Sequence, residues 1–186
     1  MNKKLDLRVE KTYQALTNAL YALLCEKSLG QLTVTELCDR AMIRKATFYK
    51  HFADKEELLV FMIRELQRLA TEQNTVGYDP VDPHSYYIGV FRYFIDFLDS
   101  NERFIRSILG SNASSVAEEL LAEQIRLDMS SHLKKEELET LSKANDMFAA
   151  LYAGAVISCG KWWITQENRP NKESVIKGFS EFILKF

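Results

Sequence analysis

Proline and glycine are scarce, with three prolines and seven glycines in 186 residues. So few chain breakers leave little room for many short strands and tight turns, and favour long helices. Cysteine is scarcer still: Cys25, Cys38 and Cys159 are odd in number and widely spaced, which suggests neither a disulfide framework nor a zinc ribbon. His51, His84 and His132 share no metal-ligand spacing. A Gly-x-Ser-x-Gly elbow, a phosphate-cradling glycine loop and a paired metal motif are all missing, so an enzyme reading has little to stand on and no cofactor is expected. No apolar run approaches the length of a bilayer crossing, and the start MNKKLDLRVEK lacks the hydrophobic segment of a secretory signal. A cytoplasmic protein is the expectation.

What the chain does contain is a 47% apolar and 27% charged composition, enough for a real core in one or two compact units. Its net charge of −2 conceals a split. Residues 1–55 carry ten Lys and Arg against six Asp and Glu, whereas the remainder carries fourteen against twenty. A basic head on an acidic remainder suits a DNA-reading domain on a soluble sensory body.

The most structured signal is LTVTELCDRAMIRKATFYKHFADK, residues 32–55, which reads as two short helices joined by a tight turn. Thr33 can cap the first, with Glu36 three residues on closing a capping box, and the helix should run from Val34 to Arg40. Val34, Leu37 and Ala41 give it one apolar stripe, and Met42 and Ile43 carry the chain round the corner. The second helix covers Lys45 to Phe52. Phe48 and Phe52, four apart, face inward and leave Lys45, Ala46, Thr47, Tyr49, Lys50 and His51 on the outer faces. Such a pair is a helix-turn-helix, which lays its second helix in the DNA major groove. Lysines there neutralise phosphates or bond guanine edges, and the Ala46 and Thr47 methyls can touch thymine methyls.

The strings T-V-T-E-L, A-M-I-R-K-A-T-F-Y-K-H-F and D-K-E-E-L, with the spacing of Tyr49, Phe52, Lys55 and Leu58, resemble the N-terminal domain of the TetR family of transcriptional regulators. The resemblance covers about the first third of the chain. It implies a dimeric, all-helical regulator whose divergent C-terminal domain senses an effector. Carried over position by position, it implies that Thr35, Lys45, Ala46 and Lys50 approach bases, while Thr33, Thr47, Tyr49, His51 and Lys55 mainly grip phosphates. Two positions depart from the pattern. Met42 stands where the family turn commonly has glycine, which bears on the turn geometry. Arg44 replaces a small capping hydroxyl, exchanging a cap for a base or phosphate contact.

The expected architecture is all-α with about nine helices: a three-helix DNA-binding domain over residues 1–54, and an effector-binding and dimerisation domain over residues 55–186. The first helix should span Val9 to Lys27, with Val9, Tyr13, Leu16, Leu20, Leu23 and Leu24 inward and Gly30 as its stop. Lys3, Lys4 and Arg8 ahead of it read as a solvated terminus more than as a groove-reaching arm. Asp54 with Glu57 caps a connecting helix from Lys55 to Gln73, with Leu58, Leu59, Met62, Leu66 and Leu69 inward, whose tilt can carry a signal. Asn74 to Pro83 holds two of the prolines and reads as a loop.

Residues 84–100, HSYYIGVFRYFIDFLDS, are apolar nearly all round and should form the central helix of the body. Glu102 to Leu109 makes a shorter helix, and Ala113 to Leu133 another, with Val116, Leu120, Ile125 and Met129 toward the core. Leu141, Ala144, Phe148, Leu151, Tyr152, Ala155, Val156, Cys159 and Trp163 keep a helical rhythm between residues 136 and 167. Asn168-Arg169-Pro170 breaks it, and a final helix over 171–186 places Val175, Phe179, Phe182, Ile183 and Phe186 on one side. Ala149, Ala153, Gly154 and Gly160 would let these two helices approach a second copy, giving a homodimeric four-helix interface. The A-G-A-x-I-x-x-x-x-W-W arrangement resembles a C-terminal domain of some TetR-family members, mainly from low-GC Gram-positive bacteria.

Aromatic residues crowd the body. Taken singly each is best read as core, but Tyr87, Phe91, Phe94, Phe104, Ile108, Phe148, Tyr152 and Trp163 together make the candidate lining of a pocket for a small, mainly hydrophobic effector. Cys159 is best read as a small buried hydrophobe, and KKEEL at 134–138 as a solvated helix start. The reading that follows is a repressor that binds a palindromic operator as a dimer and releases it when an effector occupies the body. The alternative keeps the DNA-binding head and gives control of the body to a protein partner.

Overall fold

The computed structural model describes residues 7–73, 83–111, 113–135 and 142–183, and among these the chain forms nine α-helices and one 3-10 turn. In order they are α1 Leu7–Leu24, the turn Leu29–Gln31, α2 Val34–Ala41, α3 Lys45–His51, α4 Lys55–Gln73, α5 Pro83–Ser100, α6 Glu102–Leu109, α7 Ser114–Lys135, α8 Ser142–Thr165 and α9 Lys172–Ile183. The expected arm residues Lys3 and Lys4, the 74–82 loop, residues 136–141 and Phe186 lie outside the described residues, as do the side chains of Leu69, His132 and Ala144. The chain divides into two compact units, Met1–Leu66 with Arg103–Ala117, and Gln67–Glu102 with Glu118–Phe186.

In the first unit α1 packs on α2 and α2 on α3. Leu16, Leu20, Leu23 and Leu24 of α1 are buried, as are Leu37, Cys38 and Ala41 of α2, Phe48 and Phe52, and Leu58, Leu59, Met62 and Ile63 of α4. Each large apolar side chain removed from water contributes about 1.5–3 kcal/mol, so this one core holds α2 and α3, which are too short to persist alone. Phe104 of α6 lies 5.0 Å from the ring of Tyr21, and the Ser107 hydroxyl donates to the Lys27 carbonyl at 3.1 Å. α1 ends earlier than its periodicity suggests, and Gly30 is not its stop. Glu26 and Lys27 bond back to the Leu23 carbonyl at 3.0 Å, and the Gln31 side chain accepts from Ser28 N at 3.3 Å. Those partners close the helix end without a left-handed glycine, and no described glycine has positive φ.

In the second unit α5 packs on α8 and α9. Tyr87, Phe91, Phe94, Ile95 and Leu98 of α5 are buried, Tyr86, Ile88 and Phe97 half-buried, and Tyr93 opens to solvent. Phe91 stacks on Phe179 at 3.8 Å, and Tyr152 donates to the Tyr87 carbonyl. Arg169 joins Asp99 and Glu102 at 3.1 and 3.3 Å and lies 4.4 Å over Trp163, whose indole donates to the Pro170 carbonyl at 2.8 Å. The break at 168–170 is therefore a tied corner.

Three expectations need correction. On α7, Val116 is exposed, Leu120 and Ile125 are only half-buried, and Met129 alone of the four is fully buried. Its apolar residues are spread round the helix, so periodicity had no single face to find. On α8, Leu151 is 64% exposed, while Ala149, Ala153 and Gly160 point into their own unit. Of the small residues expected to admit a second copy, Gly154 is the exposed one. Finally, Asp146–Thr165 is, by length and composition, long and apolar enough to cross a bilayer, contrary to the expectation that no run is. In the fold this stretch carries core residues Tyr152, Val156, Trp163 and Ile164.

Candidate nucleic-acid interface

The site begins at Thr33, which is extended (φ −108°, ψ 151°) and accepts from Glu36 N at 3.2 Å. Thr33 N and its hydroxyl both donate to Glu36 Oε2 at 2.9 Å, and the Lys27 ammonium takes the other oxygen. The capping box is thus complete. Lys27, then the backbone and hydroxyl of Thr33, hold the Glu36 carboxyl down at about 2. A second clamp joins Arg40 to Glu26 through two bonds of 3.0 Å. Together they fasten α2 to the end of α1.

Met42 turns the chain with φ 55° and ψ 39°, the one non-glycine residue at positive φ among those described. Met42 N donates to Asp39 O at 3.2 Å and Ile43 N to Cys38 O at 2.9 Å, which satisfies the last carbonyls of α2. The turn keeps the left-handed geometry that glycine adopts at little cost, although a side chain there is unfavourable by about 1–2 kcal/mol. That side chain is 93% exposed. Arg44 then caps α3 in extended conformation with no side-chain cap bond, while its carbonyl accepts from Thr47 N at 2.8 Å.

Phe48 is wholly buried and Phe52 nearly so, which orients the rest of α3. Arg44, Lys45, Ala46, Tyr49 and Lys50 are exposed, and Thr47 and His51 half-buried; Thr33 and Thr35 are exposed on α2. None of the ten residues expected at DNA is buried, Lys55 being half-buried like Thr47 and His51. Among the described residues, Arg44, Lys45 and Lys50 form no ion pair, so their charge faces outward uncompensated. Lys55 differs. Its ammonium donates to the Leu29 and Leu32 carbonyls at 2.7 Å each, tying the start of α4 to the 3-10 turn. Sequence reasoning also placed Tyr13 simply on a core face, whereas its ring meets His51, Phe52 and Phe61.

Residues 16–61, which include all ten of these positions, match the profile of the bacterial regulatory proteins, tetR family. Residues 16–61 are a TetR-family DNA-binding domain. It is 37% identical over 79 residues to YxbF of Bacillus subtilis, an uncharacterized HTH-type transcriptional regulator, covering 42% of this chain and 21% of that one. It is 27% identical over 97 residues to the Tn10 TetC protein from Escherichia coli, covering 52% and 49%. The chain spans less than two thirds of the length of the curated relatives it matches. Among solved structures, a TetR transcriptional regulator from Streptococcus agalactiae shares the fold with TM-score 0.65 and 19% identity, over 95% of each chain. The fatty acid degradation regulator FadR from Bacillus halodurans does so with TM-score 0.71 and 13% identity, over 98% and 97%. In this TetR-family fold the helix-turn-helix is α2 with α3.

The eight candidate pocket residues fall in two groups. Tyr87, Phe91, Phe94, Phe148, Tyr152 and Trp163 belong to the second unit, and Phe104 and Ile108 to the first. In the second unit Tyr87 meets Phe148 and Tyr152 at 5.7 Å, and Tyr152 meets Phe179 at 6.0 Å, so these rings are mutual neighbours. Polar groups adjoin them. Burial, then the nearby Asp128, pushes the Tyr86 phenol up to about 12, and burial raises the Asp128 carboxyl despite a 2.9 Å bond from Gln124.

Proposed function

We propose that this TetR-family protein is a homodimeric transcriptional repressor that binds a palindromic operator and releases it when a small, mainly hydrophobic effector occupies residues 55–186. The DNA-binding domain is residues 1–54. Supporting this most directly is the surface of α3: two buried phenylalanines hold Arg44, Lys45, Tyr49 and Lys50 outward, with no acidic partner among the described residues. Base contacts fall to Thr35, Lys45, Ala46 and Lys50, and phosphate contacts to Thr33, Thr47, Tyr49 and His51. Arg44 can serve either. Lys55 reaches a phosphate only with a donor left over from its two carbonyls.

Two recognition helices of a dimer must meet successive major grooves about 34 Å apart. An effector that favours another spacing lowers DNA affinity, and emptying the operator requires it to prefer the incompetent state by roughly 5 kcal/mol. The aromatic residues of the second unit are suited to that ligand. The second copy is placed on α8 and α9, where Met147, Leu151 and Trp162 are 61%, 64% and 50% exposed and Phe182 is 53% exposed. The reading needs no catalytic residue and no cofactor, and it places the protein in the cytoplasm.

A gel shift with a duplex selected from a random pool by the wild-type protein tests the face. Lys50→Ala and Tyr49→Ala should each abolish retention while the dimer stays intact by sedimentation; undiminished retention by both variants overturns the assignment.

A further inference from the structure

The Tyr13 hydroxyl of α1 lies 3.4 Å from Nδ1 of His51, the last residue of α3. The two rings meet edge to face, with centroids 5.2 Å apart and planes at 88°. Tyr13 is itself held from two further sides, by Phe52 at 5.4 Å and Phe61 at 4.8 Å. Its ring is thereby wedged among the end of the recognition helix, the residue that follows it and α4, and both Tyr13 and His51 are half-buried.

We infer that Tyr13 is a positioning residue for DNA binding, acting through His51. The inference rests on the reading of His51 as a phosphate contact. A neutral imidazole carries its proton on one nitrogen, and only the protonated nitrogen donates. A phenol that donates to Nδ1 selects the tautomer with hydrogen on Nε2, and the same geometry fixes the ring plane. In the cationic form the phenol oxygen accepts from Nδ1 instead, and Nε2 still carries a proton. Tyr13 thus keeps Nε2 a donor in both states. The alternative neutral tautomer would turn a lone pair toward an anion. A phosphate bond from a pre-oriented imidazole loses less freedom on binding than one from a ring that must first choose its rotamer and tautomer.

The experiment compares Tyr13→Phe, His51→Ala and the double variant in the full-length chain, by fluorescence anisotropy on a labelled duplex selected from a random pool by the wild-type protein. Tyr13→Phe keeps the ring contacts with His51, Phe52 and Phe61 and removes the hydroxyl alone, so its thermal midpoint should match the wild type. It should weaken duplex binding about fivefold and His51→Ala about tenfold, the scale of one net hydrogen bond. The double variant should bind no more weakly than His51→Ala, because the hydroxyl has no effect once its imidazole is gone. If His51→Ala weakens binding while Tyr13→Phe binds as the wild type, or if the two losses multiply, the positioning role is overturned and the DNA face stands. Wild-type binding by His51→Ala overturns the phosphate assignment of His51 itself.

Discussion

Gly160 of α8 faces Leu98 of α5 so closely that a methyl group on its Cα would stand 2.8 Å from Leu98 Cδ1, with the Phe94 ring crowding it from the same side. The α5 and α8 backbones approach here because one of them carries no side chain. Gly160→Ala would gain part of the roughly 0.5–1 kcal/mol by which alanine exceeds glycine in a helix, but overpacking costs about 1–3 kcal/mol. A net loss of about 1 kcal/mol is expected in urea unfolding, and an unchanged midpoint would show that Phe94 and Leu98 move aside freely.

Met42 sits in left-handed backbone with its side chain in solvent. Met42→Gly removes the strain and adds unfolded-state freedom, which partly offset each other. The expected gain is about 0.5–1 kcal/mol, and Met42→Val should lose stability, since a β-branched residue tolerates positive φ poorly. Equal midpoints for the glycine and valine variants would refute the strain.

Glu36 should make the fold sensitive to acid. Its carboxyl is lowered from an ordinary 4.5 to about 2 in the folded protein, first by Lys27 and then by Thr33. A lowered acid stabilises the fold fully above its unfolded value, and that contribution disappears as pH falls through the folded one. Stability should therefore decline between about pH 4.5 and 2. Glu26, lowered by its bond with Arg40, acts in the same direction. Glu36→Gln should flatten this limb in acid titrations followed by circular dichroism, and a limb of unchanged slope would remove Glu36 as its source.

The exposed apolar side chains of α8 report on assembly. Leu151→Glu and Met147→Glu place charges on the proposed contact between copies, where each apolar residue buried is worth about 1.5–3 kcal/mol. Sedimentation equilibrium should show the wild type as a dimer and the paired variant as a folded monomer with weak operator binding. A paired variant that stays dimeric would move the interface elsewhere.

The helix-turn-helix was legible because its determinants are local. Thr33 and Glu36 are three residues apart, Phe48 and Phe52 four, and caps and helix faces obey those spacings wherever they occur. The connecting helix was readable for the same reason, with Asp54 accepting from Glu57 N at 2.7 Å. The basic residues of α3 stand out against the acidic remainder in composition alone.

The sequence by itself therefore determined the all-helical class, the two short helices of the TetR-family motif and the outward face of α3. Tertiary structure decided the rest. Lys55 looks like a phosphate ligand in the sequence, yet the 3-10 turn brings it two carbonyls from more than twenty residues away. Gly160 and Ala153 look like a path for a second copy, yet α5 takes up the space beside Gly160. Tyr13 looks like core, yet folding sets it against a histidine 38 positions on. Spacing along a helix says which residues share a face. Which neighbour that face meets depends on contacts between segments distant in the chain, and no local period encodes them.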